Sequence, residues 1–134
     1  MNNDMNESAA GRMSTNLEFA KQMQARTKVF AVRIIRLFRS LPKTDEARII
    51  GRQVLKSGTS VAANYRAVCR AKSQADFVSK MATVVEETDE TLFWFELLEE
   101  AGIVKPNKLV AIKTEGAELL RIFSRSLNTA RRGR

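Results

Sequence analysis

Apolar residues recur at intervals of three and four over four separate stretches of the chain, and this periodicity predicts four amphipathic helices. In the first, residues 16–40, the main apolar face is Phe19, Met23, Phe30, Ile34 and Leu37, continued by Leu41. Proline disfavours helical geometry in the residue before it, so Leu41-Pro42 ends this helix. A second apolar set, Val29, Val32 and Ile35, points away from that face. One bundle core does not need both sets, so either the stripe is wide or the back of the helix packs on another subunit. We read Val29, Val32 and Ile35 as a subunit interface.

The second helix is expected to follow Thr44, an N-cap residue, with Asp45 and Glu46 in the first turn, where carboxylates favour the helix dipole. Its seam is Ala47, Ile50, Val54, Val61, Tyr65 and Val68. Gly58 interrupts the seam, and it either permits a close helix crossing or marks a break near residues 57–59. The third helix is predicted to start after Ser73, with Asp76 placed as in a capping box, and to stop before Gly102. Phe77, Met81, Val84, Val85, Leu92, Phe95 and Leu98 form its buried face, while Phe93 and Trp94 point elsewhere, as core or interface packing. The fourth opens at Pro106 and carries Leu109, Ile112, Leu119, Leu120, Phe123 and Leu127.

Four helices with short connections predict an all-α fold: one antiparallel, up-down-up-down four-helix bundle over residues 16–130. Residues 1–15 read as a flexible extension and 131–134 as a basic tail. At 134 residues and 44% hydrophobic, the chain is long enough for a single core.

Charge changes the picture more than composition does. The net charge is +8, divided into −2 over residues 1–18, +11 over 19–72, −7 over 73–101 and +6 over 102–134. One acidic helix thus lies between basic ones. Almost opposite the seam of the second helix, Arg48, Arg52, Lys56, Arg66 and Arg70 are spaced to lie within roughly 80° of one another on one helix. Each of these charges also reads as an ordinary solvated side chain; together they form a cationic stripe that favours acidic partners, nucleic acid first.

Catalytic constellations are missing from the pattern. The chain has no histidine, so Ser57, Thr59 and Ser60 belong to no Ser-His-Asp triad. Glu86, Glu87, Asp89 and Glu90 lack the histidine partners and the second carboxylate-rich helix of a di-metal bundle. Residues 56–60 lack the order of a phosphate-binding P-loop. Cys69 is the single cysteine and reads as a small buried hydrophobe beside the seam. No enzyme activity, metal or cofactor is expected. Without a long apolar run or a signal-like N-terminus, the expected location is the cytoplasm rather than a membrane.

The stretch Lys56-Ser57-Gly58-Thr59-Ser60-Val61-Ala62-Ala63-Asn64-Tyr65-Arg66-Ala67, with Leu41-Pro42 and Arg52-Gln53-Val54-Leu55 before it, resembles the 23S rRNA intervening-sequence protein family of four-helix bundles. Ser73-Gln74-Ala75-Asp76-Phe77 and the Glu-rich third helix are similar too, and the resemblance covers residues 19–127. Many members carry Ile-Ala-Glu-Gly where this chain has Tyr65-Arg66-Ala67-Val68, so the role of that acid does not carry over. The resemblance implies a non-enzymatic, ring-like homopentamer, encoded in some members within insertions in ribosomal RNA genes. It also implies kinship with bundles that serve retroelement reverse transcriptases. Ser60 and Asn64, one turn apart, are expected to hydrogen-bond across helices. The leading expectation is an oligomer that binds nucleic acid, RNA ahead of DNA, through its basic stripe. The alternative is a scaffold docking an acidic protein such as a retroelement polymerase.

Overall fold

The structure, a computed structural model, describes the backbone of residues 2–133 and the side chains of residues 16–133. Four helices make up the fold: α1 Asn2–Ser40, α2 Asp45–Val68, α3 Gln74–Glu100 and α4 Pro106–Arg132. The expected first helix began near residue 16, whereas α1 begins at Asn2. The apolar periodicity starts only at Phe19, so it could not mark this earlier start. The expected basic tail likewise begins inside α4, whose last turn holds Arg131 and Arg132, where cations favour the helix dipole.

Local chemistry sets the other boundaries. Thr44 caps α2 by accepting from the Ala47 amide at 3.3 Å, and Ser73 caps α3 by accepting from the Asp76 amide at 3.0 Å. The Asp76 carboxylate in turn accepts from the Lys72 amide at 3.0 Å. At the end of α3, Gly102 takes the left-handed φ of 71° that side chains rarely adopt. Its amide donates to the Glu99 carbonyl and that of Ile103 to the Leu98 carbonyl, the two bonds of a Schellman motif.

Helices adjacent in sequence pack side by side, and α4 closes on α1. Residues meet in reverse order at the seams. Phe38 and Leu41 lie against Gly51 while Ile34 lies against Gly58. Ser57 meets Thr91, Leu92 meets Gly116, and Gln74 reaches the carbonyl of Ala130. The core holds Met23, Phe30, Ile34, Val54, Val61, Tyr65, Val84, Phe95, Leu98, Leu109, Leu119 and Phe123. Phe30 meets Phe95 edge-on, and Tyr65 stacks on Phe123 with centroids 5.3 Å apart.

Gly58 marks a close crossing, because α2 runs through it without interruption. A Cβ there would come within 2.7 Å of Ile34 Cγ1, so only glycine lets the two backbones approach this closely.

Two features of the core depart from the apolar pattern. Phe19 is 42% exposed instead of buried. Conversely, Thr27, Ser57, Thr88 and Thr91 are buried. The threonine hydroxyls donate back to carbonyls one turn earlier in their own helices, which satisfies Thr27 and Thr88 without a polar partner in the core, while Thr91 also meets Ser57. Among the described residues no buried side-chain nitrogen or oxygen lacks a partner, and none of the helices is long and apolar enough to cross a membrane.

Candidate nucleic-acid interface

Arg48, Arg52, Lys56 and Arg66 project from α2 into solvent, and all four are exposed. Their spacing puts them on the side of the helix away from Val54 and Val61, so burying the seam forces these cations outward. Arg70 is exposed as well but lies beyond the C-cap residue Cys69. Its amide donates to the Ala67 carbonyl in a tightened final turn, so its side chain is not held in the helical register of the other four. Because α2 does not break, Lys56 and Arg66 stand about 15 Å apart along one axis.

Few carboxylates offset these charges. Arg48 reaches Asp45 at 3.9 Å, a solvated pair worth little, and donates to the Lys43 carbonyl at 3.3 Å. Among the described residues no carboxylate lies within ion-pair distance of Arg52, Lys56, Arg66 or Arg70. Lys56 lies toward α3, where it acts on Glu87. Partial burial raises the pKa of that carboxyl above the usual range, Glu90 reinforces the effect, and Lys56 opposes it.

Arg66 shares a groove with Lys28 of α1, lined between them by Gln24, Ala25, Thr59, Ala62 and Ala63. Lys28 was not among the sequence candidates. Its positive charge was visible, but its neighbour across the α1–α2 seam depends on the helix register, which periodicity alone does not fix.

Ser60 and Asn64 are half-buried. The α2–α3 hydrogen bond in the structure joins Ser57 and Thr91 instead, oxygen to oxygen at 2.9 Å. Val29 and Val32 are exposed, at 59% and 40%, while Ile35 is half-buried. In the aromatic cluster Phe95 is in the core, Trp94 is half-buried with its indole N–H donating to Glu90, and Phe93 is exposed.

Cys69 corrects the sequence reading. It is exposed rather than buried, because α2 ends one residue earlier and the chain turns away from the seam. It lines a cavity at this end of the bundle together with Phe19, Tyr65 and Phe77. The Tyr65 hydroxyl is pushed well above its usual range, first by burial and then by Cys69 beside it.

The closest ion pair of α1 with α4 lies away from the stripe. Arg26 donates to both oxygens of Glu115, at 2.8 and 2.7 Å, and reaches Glu118 at 3.3 Å. This pairing holds the Glu115 carboxyl below the usual range, chiefly through the hydrogen bond from Arg26.

Fold and surface together define a small, basic four-helix bundle with exposed cations along its second helix. The family model for the 23S rRNA-intervening sequence protein matches residues 19–125, and the chain belongs to that family. No curated protein matches it. Among solved structures it is similar to a protein of unknown function from the S23 ribosomal protein family of Bacteroides thetaiotaomicron. The two share 29% identity and a TM-score of 0.76, over 82% of this chain and 98% of that one.

Proposed function

We propose that this protein is a non-enzymatic, self-associating bundle that binds RNA through the backbone phosphates. The observation that carries the reading is the exposure of Arg48, Arg52, Lys56, Arg66 and Arg70 where, among the described residues, Asp45 alone comes within ion-pair distance of any of them. Lys28 extends the same surface across the α1–α2 seam. Contacts of this kind are sensitive to salt and largely indifferent to sequence. Self-association is supported by the exposure of Val29 and Val32, and the family resemblance favours a ring of five. Such a ring would repeat the basic surface and raise avidity.

The test is retention of structured RNA on a filter at moderate salt by the folded Arg48→Glu/Arg52→Glu/Arg66→Glu triple variant. Loss of retention is expected, and retention equal to the unchanged protein overturns the reading.

A second reading has its own observation. Ile49 is 63% exposed beside Arg48, and an apolar side chain among cations suits an acidic protein surface better than phosphates. Capture of a partner that survives nuclease treatment and is lost in Ile49→Asp favours a docking scaffold.

A further inference from the structure

A second group of cations lies where α1 meets α4. Arg33 and Arg36 are three residues apart and Ser40 follows four later, a spacing that sets them along one edge of α1. With Lys108, from the first turn of α4, they line a groove floored by Leu37, Val104 and Ile112. Val104 and Ile112 are buried, Arg33 is half-buried, and Arg36 and Lys108 are exposed. No carboxylate lines the groove, and the first turn of α4 carries no acid. Among the described residues none of the three cations has an ion-pair partner. The Glu115 carboxylate, one turn beyond Ile112 on α4, attracts Arg33 without pairing with it, and Arg26 holds both its oxygens.

Three like charges over an apolar floor repel one another, and the floor weakens the solvent screening that would relieve them. A bound anion removes that conflict. Two guanidinium groups offer planar forks to a tetrahedral oxyanion and the lysine adds a compact point charge, a donor set that suits phosphate better than a carboxylate with its two oxygens.

We propose that the α1–α4 groove binds a phosphate group, held by Arg33, Arg36 and Lys108. The phosphate comes either from a nucleic-acid backbone or from a free phosphate compound. This site is separate from the α2 stripe and stands or falls independently of it.

Calorimetric titration of the full chain in its native assembly, at constant ionic strength, tests the proposal with inorganic pyrophosphate and with a dinucleoside monophosphate lacking terminal phosphates. Saturable pyrophosphate binding is expected, weakened about tenfold or more by Arg33→Gln/Arg36→Gln, less by Lys108→Gln, and unchanged by Lys21→Gln/Arg131→Gln, at two exposed positions outside the groove and the stripe. Binding of the dinucleotide with the same pattern of loss supports the site and assigns it to a phosphodiester backbone. Binding of pyrophosphate alone supports it and assigns it to free phosphate. The proposal is overturned if neither probe binds, if Arg33→Gln/Arg36→Gln binds as the unchanged protein does, or if both double variants lose binding equally. Circular dichroism confirms that each variant is folded, and Lys108→Gln, at an exposed position, provides a test that does not disturb half-buried Arg33.

Discussion

Ser57 on α2 and Thr91 on α3 hydrogen-bond to one another at 2.9 Å, although both side chains are buried. The Thr91 hydroxyl also lies 2.7 Å from the Glu87 carbonyl, so the pair ties α3's own backbone to the neighbouring helix. Thr91→Val keeps the shape and removes the oxygen, and a loss of about 1–3 kcal/mol is expected. Ser57→Ala/Thr91→Val together should cost less than the sum of the single changes, since neither hydroxyl is then left behind. Urea unfolding at fixed protein concentration measures this, and strict additivity would count against the coupling.

At Gly58 two effects compete. Alanine gains about 1 kcal/mol over glycine in helix propensity, but a Cβ there meets Ile34 Cγ1 at 2.7 Å and Cγ2 at 2.9 Å. Both atoms are bonded to Cβ of a stiff β-branched chain and cannot swing aside, so overpacking of roughly 1–3 kcal/mol should dominate. Gly58→Ala is expected to lower the denaturation midpoint, and because Ile34→Ala removes both clashing atoms, Gly58→Ala/Ile34→Ala should lose less than the sum of the two single changes.

The Arg26–Glu115 pair gives stability a dependence on pH. Glu115 has a lower pKa when folded than its ordinary value of 4.5, so its contribution is fully present above about pH 4.5 and fades as the pH falls through the folded value. Both groups remain partly solvated, which limits the effect to a few tenths up to about 1 kcal/mol. The stability difference between the unchanged protein and Glu115→Gln should therefore shrink on acidification from pH 6 to pH 3. A constant difference across that range would exclude the pair as its source.

If α2 contacts phosphates, Arg66→Ala should reduce the slope of log affinity against log salt by roughly 0.7–0.9. Ile49→Ala should leave that slope unchanged. A salt titration of filter binding distinguishes the two.

Cys69 is exposed, so a thiol reagent should label it in the folded protein at a rate close to that in denaturant. Strong protection in the native state would restore the buried reading.

The helices were legible because their boundaries carry local chemistry: Thr44, Ser73, Pro106 and Gly102 each act within a turn of their own position. The N-terminal part of α1 was not, since it precedes the apolar stripe. Thr27, Thr88 and Thr91 escaped notice because a hydroxyl that bonds back to its own helix is buried like an apolar group. The cationic side of α2 could be read from spacing, but its limit could not: no glycine or proline near Cys69 signals that the helix stops before Arg70. Lys28, Arg33, Arg36 and Lys108 acquire meaning only through the neighbours the helix register brings to them.

Because α2 passes unbroken through Gly58, it behaves as a fixed gauge: Arg48 and Arg52 near one end and Arg66 near the other cannot slide or hinge to suit what they meet. Any polyanion spanning both ends must supply the compliance itself. A looped or single strand can adjust its phosphates to that spacing, whereas a stiffer duplex must bend or already present phosphates that far apart.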